Sequence, residues 1–228
     1  MKKAFSLAEG AMHIDTFNNC RCGFTLAEVL ITLGVIGVVA AMTMPVLIAN
    51  HRRKVTAGRI KQFSSIWQQA YWDVYNQNGT ENYWGSLVAL DAQSALDFYN
   101  ENFGKFIKTT EVKKSKYGIV GALPSGSGFY FYRWDNSADP STSSRTYLTF
   151  CPYYKDCIEL GETAAPIQGE HIVDGKKTFA FYLSGKAPSY GWDGTREYLL
   201  KKCSGTVKGF CTKLIEFDGW EISKDYPW

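Results

Sequence analysis

"GFTLAEVLITLGVIGVVAAMTMP", Gly23 to Pro45, is apolar almost throughout and carries a single carboxylate, Glu28, near its start. Residues 24–49 hold no other charge. As a helix rising ~1.5 Å per residue, that run reaches roughly 39 Å, more than the ~30 Å hydrocarbon layer of a bilayer. The segment is therefore long enough to cross a membrane. A cleaved secretory signal has an apolar stretch of only about 7–15 residues with small residues after it, whereas this run leads into "IANHRRK". The same five-letter pattern occurs twice, as "FSLAE" at Phe5–Glu9 and "FTLAE" at Phe24–Glu28. The first copy is followed by "GAMHID", whose His13 and Asp15 bar it from a membrane, so only the second copy is a working signal. Met12 is an alternative start to Met1 that leaves the short leader "MHIDTFNNCRCG".

Beyond Pro45 the pattern becomes amphipathic. Ile60, Phe63, Ile66, Trp67, Ala70, Tyr71 and Val74 recur at steps of three and four, with Lys61, Gln62, Ser65, Gln68, Gln69 and Asp73 on the other side. That spacing predicts one apolar helical face, ending at "NQNG", Asn76–Gly79. One helix from about Phe24 to about Asn76, roughly 80 Å long at ~1.5 Å per residue, is expected. Pro45 removes a backbone hydrogen bond within it and predicts a kink near Thr43–Met44. A second helix is expected over about Asp91–Phe103, with Asp91 as N-cap, apolar contacts from Ala95, Leu96, Phe98, Tyr99 and Phe103, and Gly104 as its stop.

From about Tyr117 the period changes to strand and turn chemistry. "GFYFYRW", "RTYLTF", "HIVDGKKTFAFYL" and "KLIEFDGWEI" are aromatic or β-branched runs parted by Gly, Pro, Ser and Asp, which predicts an antiparallel sheet. Asp174-Gly175 and Asp218-Gly219 each read as hairpin turns, and the closing "DGWEISKDYPW" as a last hairpin strand with an aromatic tail. "SADPSTSSR", Ser137–Arg145, reads as a surface loop.

With 25 Lys plus Arg against 22 Asp plus Glu, net charge is +3 and is not gathered into one basic block, so nucleic-acid binding is not expected. Lys2, Lys3 and Arg21 precede the apolar run while Arg52, Arg53, Lys54, Arg59 and Lys61 follow it, a count that places the C-terminal side in the cytoplasm. The cysteines argue the opposite: Cys151, Cys157, Cys203 and Cys211 form an even set at short spacings, suited to disulfides in an oxidising compartment. Of the three pairings, 151 with 157 and 203 with 211 is favoured because each short loop has Gly or Pro turn chemistry; a long-range cross-link and a reduced pair are the alternatives. Neither C-x-x-C nor a His pair suggests zinc. His171 is the one histidine well inside the C-terminal half, and no G-x-S-x-G, H-E-x-x-H or phosphate-cradling loop accompanies it. Asp135, Asp139, Asp174, Asp193 and Asp218 read first as turn formers.

Gly23, the Phe24-Thr25-Leu26-Ala27-Glu28 that follows it, and the long apolar run with Pro45 in it together resemble the N-terminal signal of type IV pilins and of the pseudopilins of type II secretion. The resemblance implies an α+β pilin-like fold, a long N-terminal helix packed on a small antiparallel sheet. It implies a leader over residues 1–23, a membrane or filament-core half over 24–50, and a globular domain over 51–228. Within that domain, 51–76 is the amphipathic half-helix, 77–115 a linking region with the short helix, and 116–228 the sheet and a disulfide loop. It further implies cleavage between Gly23 and Phe24 by a prepilin peptidase on the cytoplasmic side, and N-methylation of Phe24. The product is a single-pass protein of the bacterial inner membrane with a periplasmic C-terminal domain. Its partners are other pilins or pseudopilins and an inner-membrane assembly platform, and it is a peptidase substrate rather than an enzyme. Glu28 is then an assembly residue that meets the new ammonium of a neighbouring subunit. Pilins often carry a disulfide-closed loop near the C-terminus, where Cys203 and Cys211 lie. No cofactor is expected; some pseudopilins bind Ca²⁺ near the C-terminus, which makes Asp174 and Asp193 weak candidates, but the family's Asn-Gly and Pro-Asn loop elements are missing here. Two other functions fit the same frame: a minor pilin whose head binds DNA or a surface, and a membrane-anchored periplasmic enzyme.

Overall fold

The computed structural model describes residues 24–80, 84, 87–134, 145–163, 173–189, 193–206 and 208–228. Helix α1 spans Leu26–Asn78 with Pro45 inside it. Two units divide the chain after Leu47.

In the first unit the helix is all surface. Leu26, Leu30, Ile31, Leu33, Ile36, Met42 and their neighbours are exposed, so the described residues of this unit form no core of their own. Its hydroxyls are turned back onto the helix, Thr32 Oγ1 donating to the Val29 carbonyl at 3.0 Å and Thr43 Oγ1 to that of Val39 at 2.9 Å. Such back-bonding lets a hydroxyl sit in an apolar medium without an unmet donor.

In the second unit, α1 buries Thr56, Ala57, Ile60, Phe63, Ser64, Trp67, Ala70 and Val74, one stripe at steps of three and four. Tyr71 packs at the edge of this core. Ile66, expected on the same face, is 37% exposed; it flanks the buried stripe on the Ala70 side and lines a surface groove with Arg59, Phe106 and Lys108. Helix α2 spans Ala92–Asn102 and is capped as expected: Asp91 Oδ1 accepts from the Gln93 amide at 2.9 Å.

The sheet is a five-stranded antiparallel meander in the order β1-β2-β3-β4-β5, with β1 Glu111–Lys114, β2 Ile119–Ala122, β3 Gly128–Trp134, β4 Arg145–Cys151 and β5 Phe179–Phe181. The period of two sorts side chains onto two faces. Phe129, Phe131, Leu148, Phe150, Phe179 and Phe181 join the main core with α1 and α2. Tyr130, Tyr132 and Tyr147 point the other way and stack at 5.0 Å centroid spacing, where helix α3, Tyr154–Thr163, covers them through Tyr154 and Leu160. The middle of β2 must be glycine: a Cβ on Gly121 would lie 2.2 Å from the Phe129 ring across the ladder.

Three expectations are corrected. The sheet begins before residue 116, because "EVKK" at 111–114 pairs with β2 although it lacks an apolar alternation. The short segment between Cys151 and Cys157, expected as a loop, is not only that: α3 starts inside it at Tyr154. After β5 the regular elements are helices, α4 Arg196–Ser204 and α5 Phe210–Phe217, where "KLIEFDGWEI" was expected to form strands. Phe210, Leu214 and Ile215 are buried at a helical spacing. Asp218-Gly219 ends this helix rather than turning a hairpin. Gly219 has φ +74°, its amide donates to the Glu216 carbonyl at 3.1 Å, and the Trp220 amide reaches back to Ile215 at 2.8 Å, the paired bonds of a Schellman cap. Asp174-Gly175 makes a tight turn into β5, with Gly175 at φ +72°; the residues ahead of it, 164–172, and the 137–144 part of the expected surface loop lie outside the described residues.

The C-terminal segment is tied down by one arginine. Arg196 forks onto Asp218 at 2.6 and 2.7 Å and onto Asp225 at 2.8 and 2.9 Å, with Ser223 Oγ at 2.9 Å. The Tyr226 hydroxyl donates to the Gly175 carbonyl at 2.6 Å, and burial pushes its ionisation well above the usual phenol range. Hydrogen bonds from Arg196, then from Ser223, hold the Asp225 carboxyl below the ordinary carboxylate range. Its contribution is whole above about pH 4 and fades as pH falls further and the group protonates.

The loop after β5 docks on α1: the Leu183 carbonyl accepts from Trp67 Nε1 at 2.7 Å, and that of Gly185 from Ser64 Oγ at 2.8 Å. Gly185 has φ +74°, and a Cβ there would meet the Gln68 amide at 2.7 Å. Gly185→Ala is expected to cost about 1–3 kcal/mol, read as a lower denaturation midpoint of the full chain in detergent. Arg196→Ala is expected to release residues 218–228 to fast amide exchange at pH 7, and the wild-type protection of that segment should decline below about pH 4.

Candidate functional site

The chemistry-bearing end of the first unit is built by four residues. Thr25 lies just outside α1 and its carbonyl accepts the first helical bond, from Val29 at 3.2 Å. Thr25 Oγ1 accepts from the Glu28 amide at 3.2 Å, while Glu28 Oε2 accepts from the Thr25 amide and hydroxyl, each at 2.8 Å. This is a reciprocal capping box, and it was legible in the letters Thr25-Leu26-Ala27-Glu28. Read only as a motif element, Glu28 looked like a bare charge in an apolar helix. In the structure its carboxylate already satisfies two donors at the helix start, where the macrodipole also favours a negative group. One carboxylate oxygen, Oε1, has no partner among these bonds and stays open to another cation. Phe24 precedes the box and is 86% exposed; Gly23 lies outside the described residues.

Pro45 lies within α1, with helix assigned on both sides. Lacking an amide hydrogen, it leaves the Ala41 carbonyl without its usual donor.

The remaining candidates lie in the second unit. Cys151 and Cys157 are disulfide-bonded across the start of α3, and Cys203 and Cys211 join α4 to α5; all four are buried. The second bond closes two short helices rather than a plain loop.

Asp174 opposes burial with a dense set of donors. Its Oδ1 accepts from the Lys176 and Lys177 amides at 2.8 Å, the Thr178 amide at 2.9 Å and the Thr178 hydroxyl at 3.0 Å. Burial alone would raise its ionisation, but these bonds prevail and lower it. Asp193 Oδ1 likewise accepts from the Thr195 amide and hydroxyl, at 2.9 and 3.0 Å. Both are turn formers. Among the described residues no three His, Cys, Asp or Glu gather closely enough to hold a metal ion. A cavity of about 310 Å³ beside Asp174 is lined by Asp156, Glu159, Leu160, Thr163, Val173, Lys177 and Thr178. Burial raises the Asp156 carboxyl. His171, Asp135 and Asp139 lie outside the described residues.

Comparison with known families agrees with the geometry at the N-terminus. Residues 18–44 match the prokaryotic N-terminal methylation motif, which is the prepilin-type signal of type IV pilins and pseudopilins. The chain thus carries the signal of a prepilin peptidase substrate, followed by an apolar helix that fits membrane anchoring. Residues 46–228 match the family described as "Family of unknown function (DUF6613)", and the chain belongs to that family. No curated protein and no solved structure matches it.

Thr25→Val removes the hydroxyl from the capping box. We expect a loss of about 0.5–2 kcal/mol at the first turn, seen as faster amide exchange at Ala27–Val29 in micelles; unchanged exchange there would show that the box does not hold the helix start.

Proposed function

We propose that this chain is a structural subunit, a prepilin or pseudopilin. It is cleaved between Gly23 and Phe24, methylated at the amine of Phe24, and polymerised through the first half of α1 into a type IV pilus or a type II secretion pseudopilus. The observation that carries the proposal is the conjunction at residues 24–48: a prepilin-type signal, a run of exposed apolar side chains with no core to join, and one carboxylate at its head. Exposed apolar surface of that extent is stable only in lipid or against other apolar helices. Lateral packing of copies supplies the second environment after the bilayer supplies the first.

Cleavage turns the amide nitrogen of Phe24 into an ammonium with an ordinary pKa of about 7.7–8. Glu28 of a neighbouring subunit is its counter-charge. A carboxylate costs ~2.5–3.5 kcal/mol at the bilayer centre; Thr25 offsets part of that cost within the single chain, and the neighbour's ammonium completes the pair through the open oxygen. The peptidase acts on the cytoplasmic side, the globular domain faces the periplasm, and an inner-membrane assembly platform receives the processed subunit. The two buried disulfides support the oxidising compartment. The chain works without a cofactor; calcium at Asp174 or Asp193 is not part of the proposal, because their donor sets are already turn bonds.

The test uses the full chain in a bacterium that carries the processing and assembly machinery. Mass spectrometry of the mature protein should find methylated Phe24 as the first residue. Glu28→Ala should leave processing and membrane insertion intact and reduce incorporation into sheared filaments by at least about tenfold, the equivalent of one lost ion pair worth ~1.4 kcal/mol. Wild-type levels of filament incorporation by the variant would overturn the role given to Glu28, and an intact leader on the working protein would overturn the proposal as a whole.

A further inference from the structure

The cations that follow the apolar run have no role in the reading above. Between Val29 and Trp72 the chain has no carboxylate at all, yet it has Arg52, Arg53, Lys54, Arg59 and Lys61. Arg59 is engaged: its guanidinium donates to the Pro152 carbonyl at 2.6 Å and lies 5.1 Å from the centre of the Tyr153 ring. Arg52, Arg53 and Lys54 are not engaged by any ion pair or hydrogen bond among the described residues. Arg52 and Lys54 are exposed, Arg53 is half-buried, and Arg53 Nε is a buried donor with no acceptor. A donor left unmet is costly, and no carboxylate among the described residues pairs with any of these three cations.

We infer that Arg52, Arg53 and Lys54 form a collar that binds the phosphates of anionic phospholipid headgroups where α1 leaves the bilayer. This rests on the membrane-anchored reading of α1 proposed above. Three observations select lipid over a carboxylate of a neighbouring protein. The uncharged helix from Val29 to Ala49 spans about 32 Å at ~1.5 Å per residue, matched to the ~30 Å hydrocarbon layer, so the collar falls a few ångströms beyond it, at headgroup depth. The three cations are consecutive, so they sit within about 3 Å of one another along the axis. Successive helical positions are about 100° apart, so the three cations fan over about 200° of the helix, more than one side of it. A protein partner covers one side of a helix; a headgroup layer surrounds it at one depth. Juxtamembrane Lys and Arg are drawn to anionic leaflets in this way, and the attraction weakens within a Debye length as salt rises.

The experiment uses the full chain in vesicles of phosphatidylethanolamine and phosphatidylglycerol, with insertion checked by alkaline flotation. Native mass spectrometry, or spin-labelled lipids, then reads the composition of the first lipid shell. We expect phosphatidylglycerol to be enriched at least about threefold over the bulk at low salt, with the enrichment falling toward the bulk ratio near about 0.5 M salt. The triple variant Arg52→Gln, Arg53→Gln, Lys54→Gln should insert normally and lose the enrichment, while Arg52→Lys with Arg53→Lys should keep most of it. An inserted wild type with a first shell of bulk composition would overturn the collar and leave the anchor reading standing. So would enrichment that survives the triple substitution, or a triple variant that keeps its lipid shell but no longer assembles with other subunits, since the cations would then face protein carboxylates. A chain that fails to insert would overturn the anchor reading itself, and the collar with it.

Discussion

The indole of Trp67 is the contact on which the globular unit turns. Its ring meets Phe103 at 5.2 Å, Phe129 at 5.1 Å and Phe63 at 5.5 Å, so one side chain touches the end of α2, the sheet and its own helix together. Its one polar atom is satisfied by the Leu183 carbonyl, which brings in the loop after β5. An indole buries a large apolar area and still needs one hydrogen bond, and here that need fixes where the loop lies. Ser64, one turn earlier, repeats the device with the Gly185 carbonyl. The second half of α1 is thereby held to the sheet by packing on one side and by backbone acceptors on the other.

The same helix meets two different demands. Its second half carries apolar residues on one stripe because water covers the rest. Its first half is apolar all round, and none of the described residues covers it. Where the two demands meet, at residues 50–54, the side chains change within one turn from Ile and Ala to Asn, His, Arg, Arg and Lys. The opposite end is closed by the Thr25–Glu28 box, which gives the only carboxylate of the apolar half an internal partner. Both ends of the apolar half are therefore marked by charge, one negative and partnered by Thr25, the other positive, with Arg52, Arg53 and Lys54 carrying no ion pair among the described residues.

Much of this was readable in the letters, and where it was not the reason is physical. The stripe Ile60, Phe63, Trp67, Ala70, Val74 and the cap at Asp91 are local patterns, and local patterns decide long helices. β3 and β4 were legible as "GFYFYRW" and "RTYLTF" because both faces of the sheet are apolar there. β1 was not, since an edge strand such as "EVKK" draws its place from pairing with Ile119–Ala122 and not from its own residues. Ile66 recurs at steps of three and four from Phe63 and Ala70 but lies about 100° from the centre of the buried stripe, so it comes out on its margin, 37% exposed. At the functional end, Glu28 was singled out but Thr25 was not, although the capping pattern was present in the sequence.

What the sequence determined alone is the membrane-competent helix, its prepilin-type head and the amphipathic stripe that follows, because length, hydropathy and a 3.6-residue period need no partner to be expressed. What only the tertiary structure decided is the C-terminal third. "KLIEFDGWEI" contains an Asp-Gly pair that serves a hairpin or a Schellman cap equally well, since both require a glycine at positive φ. The choice fell to α5 because Phe210, Leu214 and Ile215 bury on one helical side, Cys211 bonds Cys203 on α4, and Arg196 draws Asp218 and Asp225 together. Those contacts lie 8 to 29 residues apart, beyond the reach of any local pattern, and they are what turned a strand-like run into a helix.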